Sequence, residues 1–246
     1  WELMRRHQAK ADAIGLGEVG DHFHVGQGTV INKETDRLLK VVTRVPATTG
    51  NRLRRLLQVR AVHRVQTELG RYFDNNIVLF LSGMRNYDMA VALSDYTPNL
   101  LFADALAQTG APALLNSLTQ LELYARGSDL VLKGKPGEIL EGALSGFKRS
   151  RLAAEAAKAH VVVGTFAELK EIGDASSLGG KTVITSAVDD ERLAFFEQCR
   201  VNLVIDVSPQ LFERVVGVNV IEAMILAALG KPAQALSDDD FVEILD

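Results

Sequence analysis

Two spacings of apolar residues alternate along the chain. Leu53, Leu56, Leu57, Val62, Val65 and Leu69 recur at helical spacing and predict one long helix ending near Tyr72. Ile77 to Leu81 is instead an unbroken apolar run, the pattern of a strand buried on both faces. Ser82-Gly83-Met84-Arg85-Asn86 then leads into a helix beginning near Tyr87, and Leu100 to Phe102 reads as the next strand. After a break at Gly110, Ala111 and Pro112, Ser117 to Tyr124 is helical. The second half repeats the alternation. A helix from Ala143 to Ala159 precedes a strand from His160 to Val163, and a short helix leads to a strand from Lys181 to Thr185. A helix from Asp189 to Arg200 then precedes a strand from Val201 to Val207, and a last long helix runs from Val218 to Leu229. Strands alternating with helices predict an α/β fold with a doubly wound, mostly parallel, Rossmann-like sheet.

The first fifty residues read differently. Ala11 to Leu16 is a short apolar run, and His22 to Val25 with Thr29 to Ile31 forms a hairpin pattern across Gly26-Gln27-Gly28. Asn32 is placed to cap a helix from Lys33 to Val42, and Thr43 to Asn51, containing Pro46 and Gly50, is turn-rich. Gly127 to Gly137 holds three glycines and a proline, which predicts a boundary between two lobes, 1–128 and 137–246. Trp1 to Lys10 resembles the end of an amphipathic helix with no strand before it, so the expectation is a chain lacking its original start.

Composition narrows the classes. With 27 Lys+Arg against 31 Asp+Glu and 6% aromatic residues, the chain offers neither a broad basic surface nor many rings for stacking bases. Nucleic acid is therefore not an expected partner. Val215 to Leu229 is the most apolar helical stretch, but Asn219, Glu222 and its length predict a buried helix, not a membrane span. A single cysteine, Cys199, excludes an internal disulfide framework and suits a cytoplasmic location. His7, His22, His24 and His63 lack metal-ligand spacing, and no metal site is expected.

Several places could carry chemistry. Gly15-Leu16-Gly17-Glu18-Val19-Gly20 has dinucleotide-fingerprint spacing, but a hairpin follows where the fingerprint needs a helix, so a glycine-rich turn is the better reading. Thr185, Ser186 and Asp189 lie at the carboxyl end of a predicted parallel strand and open a helix. They suit either cofactor binding or a capping box from Ser186 to Asp189. Ser82 to Asp88 and Ser208-Pro209 occupy comparable strand ends. Thr48, Thr49 and Gly50 precede Arg52, Arg54 and Arg55 in the first turn of a helix, where the dipole disfavours cations. A bound anion there, a substrate carboxylate or a phosphate, competes with a solvated or subunit-contact face. Asp104 and Asp12 are candidate buried acids near predicted strands.

Ala11-Asp12-Ala13-Ile14-Gly15-Leu16-Gly17, Arg44-Val45-Pro46-Ala47-Thr48-Thr49-Gly50-Asn51, Gly180-Lys181-Thr182-Val183-Ile184-Thr185 and Gly217-Val218-Asn219-Val220-Ile221-Glu222-Ala223 together resemble a bacterial family labelled quinate 5-dehydrogenase-like. The resemblance spans nearly the whole chain. It implies a Rossmann-like fold and an NAD- or NADP-linked oxidation of a small cyclic hydroxy acid such as quinate or shikimate. Dehydrogenases of those acids carry Gly-x-Asn-Val-Thr-x-Pro-x-Lys with a catalytic lysine. Here Gly217-Val218-Asn219-Val220 continues as Ile221-Glu222-Ala223, so no catalytic lysine carries over.

Two functions follow as expectations. The first is an NAD(P)-dependent oxidoreductase in which Thr185, Ser186, Asp189, Ser208, Gly217 and Asn219 face the cofactor. In it Thr48, Thr49, Gly50 and Arg52 take the substrate carboxylate, and Asp104 assists proton transfer. The second is a non-catalytic module of the same fold that binds a nucleotide or metabolite and passes the occupancy to a partner or to its own homo-oligomer.

Overall fold

The computed structural model describes residues 2–17, 19, 23–30, 32–132, 146–209, 215–230 and 236–245, with the side chains of 23, 128–132, 242 and 245 left aside. In chain order the first elements are α1 (Glu2–His7), β1 (Ile14–Gly15), β2 (Phe23–Val25), β3 (Gly28–Val30), α2 (Lys33–Val41), β4 (Ala47–Thr48) and α3 (Asn51–Glu68). There follow β5 (Val78–Phe80), α4 (Tyr87–Ser94), β6 (Leu100–Phe102), α5 (Asp104–Thr109), α6 (Leu118–Leu132) and α7 (Gly146–Lys158). The last are β7 (Val161–Val163), α8 (Phe166–Ile172), β8 (Thr182–Thr185), α9 (Asp190–Gln198), β9 (Leu203–Asp206), α10 (Val218–Leu229) and α11 (Asp238–Leu245).

Two compact units emerge. One gathers residues 1–22, 31–57 and 208–246, and the other residues 23–30 and 58–207. The larger is an α/β Rossmann-like unit: five parallel strands in the order β6-β5-β7-β8-β9. β5, β6 and β7 are apolar at every position because both faces are covered, while β8 carries Thr182 and Thr185 and β9 ends in Asp206. Val78, Phe80, Val161, Val163 and Ile184 pack with Val62 of α3, Met89 and Leu93 of α4 and Leu121 of α6. Leu79, Val162 and Val183, offset by one residue, pack with Leu152 of α7, Leu169 of α8 and Phe196 of α9. The hairpin β2–β3 is antiparallel, and Val25 joins the first of these clusters.

The second unit is assembled from three stretches of chain. β1 and β4 pair in parallel, Ile14 opposite Ala47 and Gly15 opposite Thr48. Its core is Leu53, Ile221, Ile225, Leu226, Leu236 and Phe241, so helix α10 is buried along one face as its apolar sequence requires. Gly50 and the part of α3 up to Leu57 belong to this unit, and α3 from Gln58 onward to the larger one.

Several expectations shift. α3 ends at Glu68, short of Tyr72, because Gly70 and Arg71 turn left-handed with φ of 64° and 61°. The sequence pattern missed α5, which Gly110 closes in a left-handed C-cap. The expected lobe boundary falls at residues 129–136, yet β5 before it and β7 after it are hydrogen-bonded neighbours in one sheet. Gly20, Lys133 and Gly137 lie outside the described residues. Among the described residues no helix is long and apolar enough to cross a membrane.

Candidate site at the carboxyl edge of the sheet

Thr48, Thr49, Gly50 and Arg52 do converge at the start of α3, but a carboxylate of the chain already sits there. Glu222 of α10, 2% exposed, accepts the backbone N–H of Leu53 at 2.8 Å and the hydroxyl of Thr48, while the Thr48 oxygen accepts from Gly50 N–H at 3.0 Å. The free amides and positive dipole of the helix start, which the sequence left for a ligand anion, are thus satisfied from within. Arg52 turns to Asp238, with N–O distances of 2.6 and 2.7 Å, and stacks over Phe241 at 5.1 Å. The glycines of this unit serve packing: a Cβ on Gly15 or Gly50 would come under 3.0 Å from the Asn219 backbone. Asn219 itself lies over Gly17 and Gly217. The fingerprint-like spacing of Gly15 and Gly17 therefore lets α10 approach closely.

In the larger unit the strand order reverses between β5 and β7, the place where parallel α/β sheets receive ligands beyond their carboxyl ends. Most strand-end amides there are also taken by the chain's own carboxylates. Asp206, closing β9, accepts from Ala187 at 3.1 Å and Val188 at 3.0 Å in the loop after β8. Asp104, following β6, accepts from Gly83 at 2.7 Å and Met84 at 3.1 Å in the loop after β5. Glu168 accepts from Thr165 N–H at 2.7 Å in a capping box after β7. Gly83 permits the second arrangement, since a Cβ would collide with Phe102 and Asp104.

Burial pushes the Asp104 carboxyl up to about 6, overcoming the opposing effect of the Met84 and Gly83 amides, and nearby Glu168 adds to the rise. Asp104 is 1% exposed and both its oxygens are engaged from the loop above. It can bind or release a proton near neutrality, and in doing so it changes its hold on that loop.

In and against the loop after β5 lie polar groups without a hydrogen-bond partner among the described residues. Asn86, the N-cap of α4, does not cap its helix: its Nδ2 donates to the Ser82 carbonyl at 2.8 Å and its Oδ1 accepts from Gln58 Nε2 at 2.8 Å. Gln58 Oε1 and Ser82 Oγ are fully buried with no hydrogen-bond partner among the described residues, and Thr185 Oγ1 at the end of β8 is a third such atom. Native interiors leave few polar atoms in this condition, each costing about 1–3 kcal/mol. Three at the carboxyl edge of one sheet mark the candidate site.

Of the sequence-predicted residues, Thr185 and Asp104 belong to this edge. The Ser186 carbonyl accepts from Arg192 at 3.4 Å, and Asp189 caps α9 by accepting Arg192 N–H at 2.9 Å, so the cap is Asp189 and not Ser186. Ser208, Gly217 and Asn219 belong to the smaller unit. Asp12 sits in a bend just before β1 and is exposed, so it is not the buried acid the sequence suggested. Gln58 was missed; its signal is a polar residue embedded in the apolar stripe of α3. A further cavity of about 210 Å³ under the β2–β3 hairpin, lined by Val25, Val30, Ala125 and Arg126, is smaller than ordinary ligand pockets. Among the described residues no three His, Cys, Asp or Glu side chains gather to hold a metal.

Neither a curated protein nor a solved structure matches the chain. Residues 1–49 match a domain of unknown function (DUF8753) and residues 52–246 another (DUF8754), the junction falling at the start of α3. By that second match, which covers most of its length, the chain belongs to the family described as domain of unknown function (DUF8754).

Proposed function

We propose that this protein binds a small polar metabolite at the carboxyl edge of its five-stranded sheet, beside the strand reversal at β5, without itself catalysing a reaction. The observation that carries this reading is the pair of buried, unpartnered polar atoms, Gln58 Oε1 and Ser82 Oγ, joined through Asn86. A ligand that completes their hydrogen bonds recovers the cost of leaving them unmade. The single buried cysteine, whose thiol burial pushes up, fits a reducing compartment, and a cytoplasmic location belongs to the same reading.

An NAD(P)-linked oxidation of a small cyclic hydroxy acid is the second reading. Asp104 favours it, as a carboxyl that exchanges its proton near pH 6 beneath the same loop. The strand-end amides do not fit the phosphates of such a cofactor: those of Ala187 and Val188, Gly83 and Met84, and Thr165 are each engaged by an internal carboxylate.

Thermal-shift measurements with NAD, NADP, a nucleotide panel, quinate and shikimate separate the readings when followed by assays for NADH or NADPH formation. Stabilisation by a metabolite without turnover supports the first; turnover replaces it with the second.

A further inference from the structure

The donor and acceptor pattern around Asn86 has a fixed direction. The Ser82 carbonyl can only accept, so it holds the Nδ2 end of the Asn86 carboxamide at 2.8 Å. The Oδ1 end must then face Gln58, which answers with Nε2, also at 2.8 Å. Flipping either amide would set two acceptors or two donors face to face. Gln58 therefore presents an acceptor, Oε1, as its unpaired end, and Ser82 presents a hydroxyl. Both residues are buried, 3% and 5% exposed.

The charge around this loop is already committed. Asp104 lies beneath it with both carboxylate oxygens on its amides, and Asp88 stands in the first turn of α4, offsetting the dipole of a helix start that Asn86 leaves without a side-chain cap. Arg85, in the same loop, has a partner of its own. An incoming carboxylate would meet two acidic groups and could give no proton to Gln58 Oε1; a phosphate can carry a proton but would meet the same two acidic groups. A hydroxyl or a primary carboxamide donates to Gln58 and accepts from Ser82.

On the reading that a ligand binds at this edge, we infer that Gln58 and Ser82, oriented through Asn86, form a subsite, closed to solvent in the free protein and entered only when the loop after β5 opens, that selects an uncharged group able both to donate and to accept a hydrogen bond. That group is a hydroxyl or a primary carboxamide. The subsite rejects carboxylates and phosphates.

Four probes sharing one ring test this: benzyl alcohol, benzamide, benzoate and benzylammonium, titrated into the isotope-labelled protein while the backbone amide resonances of Ser82 to Asn86 are followed. Benzyl alcohol and benzamide should shift those resonances with affinities about tenfold tighter than benzoate, the difference of roughly one charge-compatible hydrogen bond. Ser82→Ala should weaken both neutral probes about tenfold. The same variant should raise the melting temperature of the free protein by about 2–4 °C, since it removes a hydroxyl that folding leaves unsatisfied. A hydroxyl serving only the fold would give the opposite thermal result. Tighter binding of benzoate, or of inorganic phosphate, at these resonances would overturn the selectivity while leaving a ligand site in place. If no probe moves them and Ser82→Ala lowers the melting temperature, both the subsite and the binding reading fall.

Discussion

The starts of α3 and α4 present the same physical problem and solve it in opposite ways. Each exposes unbonded amides and the positive end of a helix dipole. At α3 the buried carboxylate of Glu222 reaches in from α10 and takes the Leu53 amide and the Thr48 hydroxyl. At α4 the N-cap Asn86 spends its carboxamide on Ser82 and Gln58, and leaves two buried polar atoms without partners. The arginine-rich start has the composition of an anion site but is closed from within. The plainer start carries the unmet hydrogen bonds. Composition near a helix start thus reports charge, whereas the accounting of individual donors and acceptors reports where a ligand is wanted.

The contrast is broken most directly at Glu222. Glu222→Ala leaves the Leu53 amide and the Thr48 hydroxyl buried without an acceptor, and should cost about 3 kcal/mol of unfolding free energy. Urea unfolding measures it as a lower midpoint at unchanged slope. A loss under about 1 kcal/mol would mean that the helix start is satisfied by other means and is open to a ligand after all.

Asp104 offers a pH-dependent test of the loop that precedes α4. Its carboxyl rises from 3.8 to about 6 on folding, so the folded state binds the proton more tightly. Its contribution to stability is then fully present below pH 3.8 and is lost as the pH climbs through about 6, roughly 3 kcal/mol in all. Asp104→Asn removes the titrating group. The difference in unfolding free energy between wild type and variant should therefore drift in favour of the variant by about 2 kcal/mol between pH 4 and pH 7. A flat difference would mean that Asp104 is as well solvated folded as unfolded, and the loop would lose its buried support.

The parallel sheet was legible because its strands carry a signal that survives without context. Val78 to Phe80 and Val161 to Val163 are apolar at every position, as strands covered on both faces must be. Asn32 was legible as a cap for the same local reason, and it makes the expected bonds. What could not be read were relations between distant segments. Glu222 meets Thr48 across 174 positions, and no local pattern announces that a carboxylate will fill a helix start so far back in the chain. The division into units was hidden likewise, since the smaller one draws on three separated stretches. Asp104 was accessible because a strand end is a local feature. Gln58 was not, because its meaning depends on Asn86 lying against it, 28 positions away.

The smallest expected effect concerns Arg52, the residue that made the start of α3 look like an anion site. Its guanidinium pairs with Asp238, 61% exposed, and lies over Phe241. A solvent-facing ion pair contributes up to about 1 kcal/mol and the ring contact a similar amount, so Arg52→Ala should cost about 1 kcal/mol. A double-mutant cycle with Asp238→Ala should return a coupling of about 0.5 kcal/mol, shrinking as salt is raised. Inorganic phosphate should stabilise wild type and Arg52→Ala equally, because Glu222 already occupies the position an anion would take. Stabilisation by phosphate that disappears with Arg52 would reverse the comparison, making the start of α3 the binding site and Glu222 a group that moves aside for its ligand.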